Sequence, residues 1–264
     1  GGLKYELSAK ERTAMTAQVG NGKGQTAFRD VPNLAELRDL RGASKRMPVL
    51  EGTLHEVQGI DSLMRDKRIS VATATGNQGT EESFKQLSGQ HTSMLHISTH
   101  GFYEQQGSKE KKEEGGAGRE DRSLSRSGLF LAGAADHLFG KAQAPEGTDD
   151  GILTAKEIAR LDLRGLDLVV LSACQTGLGD VSGEGVFGLQ RGFKKAGAQT
   201  LVMSLWKVDD RATQLLMTEF YRHLTAGSSK REAFLAAQHH LRTIDNGRYD
   251  DPQYWAAFIM LDAR

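Results

Sequence analysis

The stretch LDLVVLSACQTGLGD, Leu166 to Asp180, joins an apolar run, a cysteine and a glycine-rich turn in that order. Leu166 to Ala173 reads as a strand, because an apolar run without alternation suits a strand covered on both faces, as in a parallel sheet. Cys174 is the only cysteine of the chain. It ends that strand and meets QTGLGD, where the chain must turn at the edge of the sheet. One reading is a buried structural thiol that packs like a small Val. The other is a nucleophile, since a thiol at a strand's carboxyl end can reach solvent or substrate, and a nearby imidazolium lowers its pKa.

Strand and helix alternate outward from this stretch. ISVAT (Ile69 to Thr73) is a short β-branched run. GTEESFKQL (Gly79 to Leu87) follows as a helix, with Thr80 as N-cap and Ser83 and acidic residues in its first turn. MLHIST (Met94 to Thr99) is a strand that ends on His100-Gly101, and TAKEIARL (Thr154 to Leu161) is a short capped helix. GEGVFGLQRGFKKAG spaces Val186, Leu189 and Phe193 along one helical face and stops on Gly197. TLVMSLW (Thr200 to Trp206) is a second buried strand. Two amphipathic helices come next, DRATQLLMTEFYRHL and SKREAFLAAQHHLRTI, and YWAAFIML (Tyr254 to Leu261) closes as a strand. The expected fold is α/β, a mainly parallel β-sheet with helices on both faces. Sites in such sheets form at the carboxyl ends of strands, where His100, Cys174 and Asp209 fall.

Composition narrows the function. The chain has 264 residues, with 34 Lys plus Arg against 34 Asp plus Glu. A net charge of zero argues against a protein built to neutralise nucleic-acid phosphates. One cysteine allows neither an intramolecular disulfide nor a thiolate zinc cluster, and it fits a reducing cytoplasmic setting. No apolar run reaches the roughly 18–20 residues that span a bilayer, and no signal peptide is visible. No cofactor or metal is expected. GNGKGQT (Gly20 to Thr26) fails the phosphate-loop spacing, and no G-x-S-x-G elbow occurs. The opening GGLKYEL lacks an initiator Met and reads as part of something longer.

His100 is either a satisfied surface histidine or a general acid/base. His96 shares its strand face but stays behind the rim, which assigns it to packing or hydrogen bonding. The strand-end His-Gly and the later Ala-Cys-x-x-Gly together point to a Cys-His dyad between neighbouring strand ends. Gly101, without Cβ, lets its N–H approach a substrate carbonyl oxygen. Asp209 or Asp210 in SLWKVDD is expected to cap the following helix. Glu104 to Ser127 is polar, mixed in charge and Gly-rich, so it is expected to be a mobile inserted loop. Gly140 to Gly151 reads as another surface connection.

The blocks MLHISTHGF and LVVLSACQTGLGDVSGEGVFGLQRGFKKAGAQTLVMSLWKVDD resemble the signature blocks of the CHAT domain, a caspase-like family often found behind TPR repeats. The resemblance runs from GGLKY, similar to the family's opening strand, to about Leu261, and is weakest between Glu6 and Pro48. It implies one peptidase domain over residues 1–264, a caspase–hemoglobinase fold and a cysteine endopeptidase. His100 is then the general acid/base, Cys174 the nucleophile, and the N–H groups of Gly101 and Cys174 the oxyanion donors. Caspases place the His about 50 residues before the Cys. Here the gap is 74, and the loop from Glu104 to Ser127 supplies 24 of it.

A similar Leu-Trp-x-Val-x-Asp block in separases implies an acidic pocket at Trp206, Asp209 and Asp210, and cleavage after a basic residue. Arg119, Arg122 and Arg126 in the loop are then expected self-cleavage points. The resemblance further implies a role in bacterial defence or programmed cell death, a protein substrate such as a gasdermin-like pore former, and a TPR or other sensor domain in the full-length chain. From the zero net charge and the lack of a bilayer-spanning apolar run, no direct nucleic-acid or membrane contact is expected. The competing reading is a catalytically silent interaction module. A third is acyl transfer by the same dyad.

Overall fold

Leu168 to Leu171 send alternate side chains to opposite sides, and all four residues are buried. That is the mark of a strand with a core on each face. The computed structural model describes residues 1–19, 30, 47–103, 124–141, 148–172, 183–206 and 209–262. Seven strands lie among them: β1 Met94–Ile97, β2 His100–Tyr103, β3 Ser127–Phe130, β4 Ile152–Thr154, β5 Leu168–Leu171, β6 Thr200–Ser204 and β7 Phe258–Asp262. The central sheet has the order β1-β5-β6-β7. β1 and β6 run parallel to β5, and β7 runs antiparallel to β6.

Helices cover both faces. We number them α1 Ala9–Val19, α2 Glu51–Asp66, α3 Glu81–Lys85, α4 Ala134–Leu138, α5 Ala155–Ile158, α6 Gly183–Ala196, α7 Asp210–Thr225, α8 Lys230–Thr243 and α9 Pro252–Trp255. Val169, Leu171, Leu201 and Met203 face a core built with Leu189 and Phe193 of α6 and Ile158 of α5. Leu168, Val170 and Val202 face the other core, with Ile60 and Met64 of α2, Phe220 of α7 and Ala237 of α8. The fold is α/β, with a mainly parallel sheet between helical layers. No helix among the described residues is long and apolar enough to cross a membrane.

Several local expectations hold. Thr80 caps α3 by accepting from the Ser83 N–H. Thr154 and Glu157 form a capping box at α5. Gly197, at φ +104, takes the left-handed turn that stops α6.

Others need correction. Ile69 to Thr73 alternates in exposure as a strand would, but it joins no ladder among the described residues. Ile69 and Val71 instead pack against the core edge after a turn at Arg68, which has φ 60. GGLKY contributes one parallel bridge, Leu3 to Gly76, not a full strand. The closing strand starts at Phe258 instead of Tyr254, because Asp251 caps α9 with Pro252 at its first position.

The antiparallel sheet β2-β3-β4 was not legible from periodicity. Glu104 to Ser123 of the expected loop lie outside the described residues. Its last part is no loop, because Leu124 is buried and Ser127 opens β3 opposite Tyr103. Arg126 is half-buried, not exposed, while Arg119 and Arg122 lie outside the described residues. The Gly140 to Gly151 connection also ends inside the protein, with Thr148, Asp150 and Gly151 buried.

Candidate active site

β1 ends at Ile97, and His100 begins β2 rather than ending β1. The two residues between them, Ser98 and Thr99, are buried and carry the chain from one sheet to the other. His100 is therefore not a surface histidine. It is 5% exposed, opposite Phe130 in the second sheet, with buried Gly101 following it opposite Leu129.

The Pro48 carbonyl and the Tyr5 ring are among the imidazole's neighbours. Its Nε2 lies 3.0 Å from the carbonyl oxygen of Pro48. A carbonyl only accepts, so Nε2 carries the proton, and in the neutral ring Nδ1 is the basic nitrogen. The Tyr5 ring packs at 4.9 Å between centroids. The Tyr5 hydroxyl also links to the backbone: it accepts from the His100 N–H at 3.4 Å and stands 2.9 Å from Thr99 Oγ1. Thr99 donates onward to the Phe130 carbonyl at 2.6 Å.

Cys174 lies outside the described residues. The strand that leads to it is described as far as Ser172, whose N–H donates to the Ile97 carbonyl at 2.8 Å. The parallel ladder therefore extends to that point, one residue beyond the last register pair, Ile97 with Leu171.

The acidic pair falls at the start of α7, and both residues are exposed. Asp209 is the helix cap, its Oδ1 accepting from the Ala212 N–H at 2.9 Å. Asp210 is the first helical residue and leans on the first turn of α2. A Cβ on Gly52 would stand only 2.7 Å from Asp210 Cβ, so this approach needs glycine. Trp206 is half-buried and donates from Nε1 to the Gln253 carbonyl at 3.0 Å.

The segment from Pro48 into α2 thus connects parts of the site that sequence alone left separate. Pro48 holds His100, Gly52 meets Asp210, and Glu56 reaches Ser98 and Ser172. Sequence reading missed Pro48, Tyr5 and Glu56. A usable signal existed for Glu56, a charge in register with Ile60 and Met64 on an otherwise core-facing helix stripe. His96 keeps its expected supporting role, with Nδ1 3.1 Å from the Tyr221 hydroxyl. Among the described residues no group of three or more His, Cys, Asp or Glu is placed to hold a metal ion.

The CHAT domain family model matches residues 5–263. Tetratricopeptide repeat protein 28 of Homo sapiens is 32% identical over 111 residues, and the Mus musculus protein of the same name is 34% identical over 112. Each match covers 42% of this chain but only 4% of the relative's length.

Proposed function

This chain belongs to the CHAT domain family, and from that membership we propose that it is a cysteine endopeptidase working through a Cys174–His100 dyad. The Cys174 thiolate attacks the scissile carbonyl carbon and forms a C–S bond, while the N–H groups of Gly101 and Cys174 hold the oxyanion. His100 gives its proton to the departing amine as the C–N bond breaks. It then takes a proton from water, whose hydroxide attacks the thioester carbon. The C–S bond breaks, the acid product leaves, and the Cys174 thiolate beside protonated His100 is restored.

The observation that carries this reading is the 3.0 Å contact between His100 Nε2 and the Pro48 carbonyl. It supports a ring pose in which Nδ1 exchanges the proton and a main-chain carbonyl, not a carboxylate, orients the imidazole.

Substrates are cut after Arg or Lys. Asp210 supplies the pocket charge, Trp206 a wall, and Asp209 divides its role between pocket and helix cap. The target is a specific protein, a gasdermin-like pore former, cleaved in the cytoplasm during bacterial defence. A TPR or other sensor domain in the full-length chain controls the enzyme.

The test is labelling with an Arg-directed acyloxymethyl ketone, comparing wild type with Cys174→Ala and His100→Ala and reading the modified residue by mass spectrometry. Labelling of Cys174 that requires His100 is expected. His100-dependent alkylation by iodoacetamide without labelling by the ketone would keep the dyad and discard the basic pocket. A Cys174 inert to both reagents calls first for the absent activator, and inertness with the activator supplied would favour the silent interaction module.

A further inference from the structure

The buried face of α2 runs through Thr53, Glu56, Ile60 and Met64. Glu56 therefore stands where the helix points at the sheet, and it is 2% exposed. A carboxylate there loses its hydration, which is unfavourable unless donors replace the water. At one of its two oxygens they do: Glu56 Oε2 accepts from Ser98 Oγ at 2.6 Å and from Ser172 Oγ at 3.0 Å. Its other oxygen, Oε1, lies 3.3 Å from His96 Nε2. Behind His96 stands the Tyr221 hydroxyl, which burial and then the Glu56 charge push well above the usual phenol range. Tyr221 therefore keeps its proton.

The two serines hold matching places. Ser98 follows the last residue of β1 and Ser172 the last residue of β5. Ser98 is two residues before His100, and Ser172 is two residues before Cys174. One carboxylate oxygen thus binds both chain segments one residue past the last register pair of β1 with β5. The helix carrying that oxygen starts three residues after Pro48, whose carbonyl holds the His100 ring.

We infer that Glu56 is a positioning residue, a clamp that fixes the two strand ends leading to His100 and Cys174 relative to each other without touching substrate. The inference rests on the peptidase reading above. Packing alone gives no reason for a charge here, since an apolar side chain would fill the same stripe position without losing hydration. Two hydroxyls converging on one oxygen do give a reason. They need a strong acceptor midway between the strands, and a carboxylate is the best that a side chain offers.

The experiment measures the rate of iodoacetamide alkylation at Cys174 between about pH 5 and pH 9, with a thermal melt for each protein. It compares wild type, His100→Ala, Glu56→Gln and Ser172→Ala. Wild type should show His100-dependent alkylation well below the pH range of an ordinary thiol. Glu56→Gln and Ser172→Ala should each lose about tenfold or more of that rate at neutral pH, their profiles moving up toward a free thiol, while still melting cooperatively.

Wild-type profiles in both variants, with the profile lost in His100→Ala, would overturn the clamp and leave the dyad standing. A wild-type profile in His100→Ala would overturn the dyad and the clamp with it. If Glu56→Gln does not fold, Ser172→Ala decides alone, since it removes one hydroxyl from a strand end. A shift that appears only when Ser172→Ala also loses its cooperative melt would reduce Glu56 to a stabilising residue and overturn the inference.

Discussion

The Pro48 carbonyl oxygen and His100 Nε2 meet at 3.0 Å across 52 positions of sequence. The acceptor is main chain, so the contact survives any side chain at 48 that leaves the backbone in place. Pro48→Ala is expected to label at Cys174 as wild type does. It should lose only the stiffness that proline gives the unfolded chain, about 0.4–1 kcal/mol of stability. Labelling and a denaturant titration on the same sample check both halves.

The Tyr5 hydroxyl lies between the His100 backbone and Thr99. Tyr5→Phe keeps the ring against the imidazole and removes one link of the chain that runs on to Phe130. The expected cost is about 1 kcal/mol, a fall of about 2–4 °C in Tm for a chain of this size. Calorimetry reads it directly. An unchanged Tm would mean that the hydroxyl contributes no net stability.

Asp209 caps α7 and Asp210 is its first residue, and substitution separates the cap from the proposed pocket charge. Asp209→Ala removes the cap on the Ala212 N–H and should cost about 1 kcal/mol. Asp210→Ala should leave the melt near wild type and weaken use of Arg substrates roughly tenfold or more, as loss of a charge-assisted contact does. Steady-state kinetics on Arg and Leu peptides, with paired melts, distinguishes them. Loss of Arg preference in Asp209→Ala alone would move the pocket charge to that residue.

A buried cluster on the opposite core predicts a pH effect. Lys85 Nζ contacts Glu81 at 2.7 Å, Asp149 at 3.0 Å and Glu157 at 3.1 Å. Burial lowers the lysine's pKa, but the charges of Glu81 and Glu157 outweigh this and raise it, so Lys85 stays charged. Burial first, then the charges of Glu157 and Asp149, hold the Glu81 carboxyl well above the usual carboxylate range. Above the unfolded value of 4.5 the native state keeps a proton that the unfolded chain has released. Stability from this group is therefore full below 4.5 and is lost as pH rises through the folded pKa. Glu81→Gln mimics the protonated form and still offers an acceptor to the Gly151 N–H. Between pH 5 and pH 7 its Tm should decline less than that of wild type, by at least about 2 °C.

Much of the central sheet was readable because β5 and β6 are apolar on both faces, and only a doubly covered parallel sheet asks for that. Helix ends were equally clear where Thr80, Thr154 and Gly197 supplied caps and stops. The second sheet was not clear. Its strands are short, and β2 is separated from β1 by only Ser98 and Thr99, so MLHISTHGF reads as one run. His100 stood out by residue type and position, whereas Pro48 acts through a carbonyl that every residue possesses. The stripe signal of Glu56 was easy to pass over, because the first 60 or so residues show no clear pattern and its partners Ile60 and Met64 come only where that stretch ends.

Glu56 meets Ser172 across 116 positions, and His96 behind it meets Tyr221 across 125. A contact cannot exist before both residues have been made. During synthesis, at about 5–20 residues per second, the helix and the first strand emerge several seconds before the chain that completes their charge network. The nascent polypeptide therefore carries Glu56 and His96 before the partners that complete their contacts, Ser172 and Tyr221, have been added.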